Sequence, residues 1–393
     1  MTTKTINIGL IGYAFMGKAH SHAFRDVAMF FPEMRLRPVM KALCGRTEAA
    51  VKAAAERYGW ESWETDAMKL IARPDIDVVD IATPGWAHRQ QVIAAARAGK
   101  AIICEKPVAN TLAEAKEMAE AVRKARVPSF VMFNYRRVPA VAFARDLIQA
   151  GEIGEIRHIR AHYLQDWIVD PAFPLVWRLD REQAGSGALG DIGSHIIDMA
   201  RFLVGEFDEV CGMLRTFVSE RPLPAREKTG PRPSRLATRS PRMGKVTVDD
   251  AAAWLATFEN GAMGTFESSR FATGRKNYNG FEIYGSKGAL RFDFESMNHL
   301  WFLSRADGPT REGFRDILVT DAGHPYMKAW WPPGHIIGYE HTFVNAIYDF
   351  LEALASRRRI SPDFEDGLKV QAVLEAVEMS ARDRRWVRVG ELL

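Results

Sequence analysis

The sequence predicts two folds in series. The first is an α/β domain on a doubly wound parallel sheet over residues 1–133. The second is an α+β domain with a mainly antiparallel, open sheet over residues 134–393. Three observations carry this expectation. Short apolar runs alternate with helix-like stretches up to residue 133, the pattern of strands buried on both faces with crossover helices between them. The first of these runs ends in a glycine-spaced turn. Later apolar runs are paired across Asn260-Gly261 and across Gly285-Ser286-Lys287-Gly288, as in hairpins. With 393 residues, the chain also exceeds what one core usually encloses.

In order, residues 6–12 read as a buried strand ending in glycine, and 15–28 as a helix. A strand follows near 37–44. Thr47 is placed to cap a helix that runs to Tyr58 and stops at Gly59. Residues 77–82 form another apolar run, 85–98 a helix ending at Gly99, and 101–104 a further strand. Thr111 with Glu114 fits a capping box for a helix to Arg126. A strand over 128–133 closes the series. Beyond it, helices are expected at 138–150, 194–204, 338–355 and 365–382, with hairpins at 250–270 and 281–294.

Composition excludes several function classes. Nearly half the residues are hydrophobic, so the chain is not a disordered one. The balance of 53 basic against 49 acidic residues gives only +4, too little to argue for nucleic acid. Cys44, Cys104 and Cys211 are scattered and odd in number. They suggest no disulfide framework and no metal spacing, and suit a reducing compartment. No signal-peptide core or membrane-spanning run is seen, so a cytoplasmic protein is expected.

The turn Gly12-Tyr13-Ala14-Phe15-Met16-Gly17 follows the first strand and opens the first helix. It matches G-x-G-x-x-G except for Ala14 at the second glycine. Such a turn lets the backbone approach a pyrophosphate at a helix N-terminus. Alone, it also fits a ligand-free βα turn. The second strand ends in Leu43-Cys44-Gly45-Arg46-Thr47, without the acid that usually binds the adenosine ribose. Arg46 can meet a 2′-phosphate, stack on adenine, or simply sit in solvent. NAD and NADP therefore both stay open.

Two segments carry chemistry. Cys104-Glu105-Lys106-Pro107 follows a buried strand, at the edge where open α/β sheets bind ligands. Residues 185–198 are glycine-rich and contain Asp191 and His195, four apart and on one face if helical. Taken singly, Lys106 reads as a surface charge and His195 as a capping or core histidine.

Together these segments resemble the glucose–fructose oxidoreductase/inositol dehydrogenase family (Gfo/Idh/MocA). The likeness runs over nearly the whole chain: the glycine turn, Ala82-Thr83-Pro84 with His88, Glu105-Lys106-Pro107, and the Asp191…His195 segment, in that order. It extends to Gly17-Lys18-Ala19-His20, Asn134-Tyr135-Arg136-Arg137, the run from Tyr163 to Trp167, Trp177-Arg178 and His324-Pro325-Tyr326. The resemblance implies a Rossmann domain and hydride transfer between NAD(P) and a ring hydroxyl of a pyranose, anhydrosugar or glycoside, at C3, with a slight lean to NAD. His195 would be the base, Asp191 would bind a hydroxyl or orient His195, and Lys106 would polarise the oxyanion. The peptide before Pro107 is often cis in the family. Thr83, Pro84, His88 and Glu105 join residues 12–17, Arg46 and Lys106 as expected cofactor contacts. Tyr135, Tyr163, Gln165, Trp167, Trp177, Arg178 and His335 are candidate sugar contacts, although any single aromatic is as readily core. The family also implies a homo-oligomer, dimer or tetramer, built through the C-terminal sheet.

Two rival readings remain. One is a glycoside-cleaving enzyme that oxidises C3 transiently and retains NAD, with Tyr135 or Tyr163 as an extra base. The other is a non-catalytic nucleotide-binding protein, against which Lys106, Asp191 and His195 together argue. Eight Lys and Arg between Arg221 and Lys245, with one acid, Glu227, mark an irregular excursion. It is either a solvated loop or a lure for an anionic sugar such as a sulfosugar glycoside.

Overall fold

The structure, a computed structural model, describes residues 4–224 and 242–393. The chain divides into two units, Met1–Arg137 with Ile337–Leu368, and Val138–Ile336 with Lys369–Leu393. The single cut expected after residue 133 misses the return of Ile337–Leu368 to the first unit.

The first unit contains β1 (Lys4–Ile11), α1 (Phe15–Phe30), β2 (Leu36–Cys44), α2 (Glu48–Tyr58), β3 (Ser62–Glu64), α3 (Ala67–Ala72), β4 (Val78–Ile81), α4 (His88–Arg97), β5 (Ala101–Cys104), α5 (Leu112–Ala125) and β6 (Ser129–Val131). The strands form one parallel sheet in the order β3-β2-β1-β4-β5-β6. The order reverses direction between β1 and β4, which puts the ligand-binding edge of such a sheet at the carboxyl ends of those strands. The expected capping box is present: Thr111 accepts the Glu114 amide, and Glu114 accepts the Thr111 amide. Thr47 stands at the N-cap of α2, but its side chain makes no capping bond. The short β3 and α3 were not anticipated from the sequence, because neither is long enough to show a period.

The second unit contains α6 (Pro139–Gln149), β7 (Ile156–Leu164), α7 (Arg181–Ala184), α8 (Ser194–Leu203), β8 (Phe207–Arg215), β9 (Glu220–Pro222), β10 (Met243–Lys245), β11 (Ala251–Phe258), β12 (Met263–Ser269), β13 (Tyr278–Gly285), β14 (Gly288–Asp293), β15 (His299–Ser304) and β16 (Arg315–Leu318). α9 (Tyr339–Ser356), α10 (Phe364–Asp383) and β17 (Val387–Arg388) complete the order. Nine strands pair as β16-β15-β14-β13-β7-β12-β11-β8-β17, parallel at β7–β12 and antiparallel at the other pairings. Gly261 adopts φ +84° in the Asn260-Gly261 turn, where a side chain would be strained. β7 alternates strictly: Ile159, Ala161 and Tyr163 are buried while Arg160 is exposed. Its buried face packs on α8.

α9 explains the return to the first unit. Its apolar face meets α1, where the Tyr348 ring stacks on Phe31 at 3.9 Å, and Phe343, Ile347 and Phe350 are all buried. Each such side chain contributes about 1.5–3 kcal/mol when fully buried.

The excursion after β8 starts as a ribbon of β9 and β10. Arg221, expected among its solvated cations, is fully buried. It donates to the carbonyls of Asp170 at 2.9 Å and Ile168 at 2.6 Å, so it braces a loop and does not steer a ligand. Arg226, Lys228, Arg232, Arg235 and Arg239 lie outside the described residues.

Candidate active site

The candidate residues fall into two groups, one on each unit. In the first unit Gly12 has φ +110°, and a Cβ there would lie 2.5 Å from the Ala82 carbonyl oxygen. Gly17 is equally constrained, since a Cβ would run into the Gly12 carbonyl. Both glycines thus let β1, α1 and the end of β4 pack backbone to backbone. Ala14 is the N-cap of α1 and offers no capping bond, and the first turn holds no acid. The N–H groups of that turn are left for an outside acceptor, which is the cradle a pyrophosphate needs. Tyr13 lies so close over Gly45 that any side chain at that position would clash. Phe15 is exposed and stacks on Tyr339, and Met16 is half-buried. Arg46 is exposed.

Thr83 Oγ1 donates to Gln91 Oε1 at 2.9 Å, and Pro84 caps a short 3₁₀ turn. His88, expected to touch a cofactor, is buried with both ring nitrogens on backbone carbonyls: Nε2 on Thr83 at 2.8 Å and Nδ1 on Val108 at 3.1 Å. Burial pushes its pKa down, so the neutral ring donates through one nitrogen only. It shapes the loop after β4.

Glu105 is likewise committed. Its Oε1 meets His20 Nε2 at 2.9 Å, and its Oε2 accepts the Lys106 amide at 3.1 Å. His20 Nδ1 meets Asp80 Oδ2 at 2.7 Å. Asp80 and the His20 side chain are fully buried and Glu105 nearly so. Burial lowers the His20 pKa, but the two carboxylates outweigh it and raise the pKa to about 10. The Asp80 carboxyl is itself pushed up by burial. With carboxylate oxygens on both ring nitrogens, protonated His20 is the state the geometry favours. The Lys106–Pro107 peptide is cis. Tyr135 is buried on the 3₁₀ turn Asn134–Arg137, also in the first unit.

In the second unit a single π-helical turn, Leu189–Gly193, leads into α8. Asp191 stands on the first and His195 on the second. Tyr163 projects from β7 with its ring 5.8 Å from His195, and its hydroxyl donates to Asn277 Oδ1 at 2.7 Å. Gln165 Nε2 shares that acceptor at 2.9 Å, while Gln165 Oε1 accepts Trp167 Nε1 at 3.0 Å. Arg178 lies over the Trp177 ring at 4.3 Å and reaches Asp191 Oδ2 at 3.9 Å. Tyr163, Gln165, Trp167 and His195 therefore form one linked set, Trp177, Arg178 and Asp191 a second, and Arg270, between the Trp167 ring and Asp191 Oδ2, joins the two. His335 does not join that network: it is exposed, and Nδ1 meets the Pro332 carbonyl at 2.9 Å.

Sequence reasoning missed Asn277, Asp249 and Arg270. The sole signal was the Asp249-Asp250 doublet at a hairpin start. His20 was noticed as a motif letter, not as the cation of a buried cluster. Among the described residues no helix is long and apolar enough to cross a membrane.

Residues 6–133 match the model of an oxidoreductase family with an NAD-binding Rossmann fold. Residues 141–291 match a GFO/IDH/MocA C-terminal domain. A levoglucosan dehydrogenase from Pseudarthrobacter phenanthrenivorans is 44% identical over 99% of this chain and 99% of its own. The crystal structure of an oxidoreductase domain protein from Kribbella flavida is 52% identical with a TM-score of 0.92, covering 99% of this chain and 100% of its own. A structure of levoglucosan dehydrogenase with NADH and levoglucosan is 44% identical with a TM-score of 0.92, over 98% of this chain and 100% of its own.

Proposed function

Because the chain belongs to the GFO/IDH/MocA family of oxidoreductases, we propose that it oxidises C3 of a levoglucosan-like anhydrosugar or related pyranose, with NAD as acceptor. That it is an NAD(P)-dependent sugar dehydrogenase follows from the family and its relatives. One observation carries the narrower reading: Asp191 and His195 stand beside Tyr163, Gln165, Trp177 and Arg178, a set of aromatic faces and amide or guanidinium donors that suits a polyhydroxylated ring.

When bound, the dinucleotide supplies the hydride acceptor. Residues 12–17 would hold its pyrophosphate at the start of α1, and Arg46 would be available to the adenosine ribose. His195 takes the hydroxyl proton as the carbinol hydrogen leaves, Asp191 binds a neighbouring hydroxyl, and Lys106 steadies the oxygen as negative charge builds on it. The free cysteines, two of them buried, support a cytoplasmic setting. Met213, Leu255 and Met263 are exposed on one face of the large sheet, which supports assembly into a homo-oligomer through that face.

Ala14→Asp tests the cofactor turn. A carboxylate there would cap the first-turn N–H groups and repel a phosphate. The expected result is NAD binding weakened at least about tenfold by calorimetry, with no loss of thermal stability. Unchanged affinity would move the pyrophosphate elsewhere.

The functional test is reduction of NAD followed by absorbance over levoglucosan, glucose, inositols and glycosides. Levoglucosan or a close pyranose should give the highest kcat/KM, and NAD should outperform NADP. Should NADP win, Arg46→Ala ought to abolish its advantage. If none of these polyols reduces either cofactor, the reading fails.

A further inference from the structure

The turn that presents Asp191 is held from beneath by two residues no sequence motif marks. Asp249, nearly buried, accepts the Gly187 amide on Oδ1 at 2.7 Å and the Leu189 amide on Oδ2 at 2.8 Å. Arg270, fully buried at the end of β12, donates Nη2 to the Asp249 carbonyl at 2.9 Å and Nη1 to the Arg178 carbonyl at 3.3 Å. Its guanidinium lies over the Trp167 ring at 5.5 Å. The same Nη1 stands 3.8 Å from Asp191 Oδ2.

Space reinforces the lock. A Cβ on Gly187 would strike the Asp249 carbonyl and lie 2.8 Å from Arg270 Nη2, so the turn sits flush on this pair. Burial pulls the Arg270 guanidinium below its usual pKa, and among its neighbours Asp191 does most to hold it charged. A buried cation needs a partner, and a rigid guanidinium fork fixes direction where a lysine would not.

We propose that Arg270 is a positioning residue for the sugar-binding carboxylate: anchored on the carbonyls of Asp249 and Arg178, it presents a fixed positive charge that keeps Asp191 aimed. Arg178 approaches the same carboxylate oxygen from a half-exposed side, and Arg270 supplies the buried one. This rests on the reading of Asp191 as a ligand of the sugar hydroxyls.

The test is a double-mutant cycle on the full-length enzyme, with levoglucosan and NAD as probes. Arg270→Met, which keeps the bulk and removes the charge, should lower kcat/KM for levoglucosan at least about thirtyfold, within the range shared by coupled neighbours. NAD affinity should stay within about threefold, because the first unit carries that turn. In an Asp191→Asn background, Arg270→Met should cost less than about threefold, since the group it acts on is gone. Arg270→Lys should recover about tenfold of the loss by restoring the charge, yet fall short of wild type by losing the fork. Full additivity of Arg270→Met and Asp191→Asn would overturn the inference, since it would mean that Arg270 acts only as packing. Should Arg270→Met fail to fold, Arg270→Lys decides: wild-type kcat/KM overturns the proposal, and a loss confined to the sugar supports it. Wild-type turnover by Asp191→Asn alone would instead overturn the functional reading together with it.

Discussion

His195→Ala lowers turnover of the sugar at least about a hundredfold, and NAD affinity changes by less than about threefold. The first figure is the usual worth of a positioned general base. The second follows from location, since His195 belongs to α8 in the second unit and the glycine turn to the first. Histidine suits the work because its ordinary pKa lies near neutrality, so it accepts a hydroxyl proton at working pH and returns it in the reverse reaction. Lys106→Ala is expected to cost a similar factor by removing charge stabilisation at the oxygen. Steady-state kinetics beside calorimetry of NAD binding check both. A His195→Ala enzyme with wild-type turnover would remove its role as base.

His20→Leu should destabilise the first unit severely. The substitution leaves Asp80 and Glu105 buried around an apolar side chain, and removing one member of a buried ionic cluster costs about 3–5 kcal/mol. For a unit of this size, that corresponds to a fall in Tm of roughly 10 °C or more. The pH dependence has a definite sign. The folded His20 pKa is raised from 6.5 to about 10, so its contribution is complete below the unfolded value. It is then lost as pH climbs through about 10. Thermal scans from pH 6 to 10 should therefore show wild-type stability declining toward the alkaline end, and His20→Leu should flatten that decline. A Tm within about 2 °C of wild type at pH 7 would show that the cluster is not ionic.

Apart from the short β3 and α3, the order of strands and helices up to β6 was legible because each device there is local. The glycine turn, the Thr111–Glu114 box and the apolar runs act within a few residues of one another. The Asn260-Gly261 hairpin is local in the same sense. What escaped notice depends on partners distant in sequence. α9 joins the first unit through an apolar face whose partner, α1, begins more than 300 residues earlier. β7 lies mid-sheet against β12 and β13, pairings that its own residues do not declare. Within the site, residue types that act by their own chemistry (Lys106, Asp191, His195) were legible. Arg270, Asp249, Asn277 and the His20 cluster act through contacts, and a buried arginine or histidine looks like any other in a sequence. His88 and Glu105 were legible as motif letters; their partners, two backbone carbonyls for His88 and the His20 ring with the Lys106 amide for Glu105, were not.

The most direct measurement is the isotopic content of reduced cofactor after incubation with NAD and levoglucosan carrying deuterium at C3. Net formation of NADH that bears the deuterium, in step with the 3-keto sugar, is the predicted result. Reduced cofactor without deuterium would contradict oxidation at C3. Cleavage of glycosides with no net reduced cofactor would contradict the dehydrogenase reading.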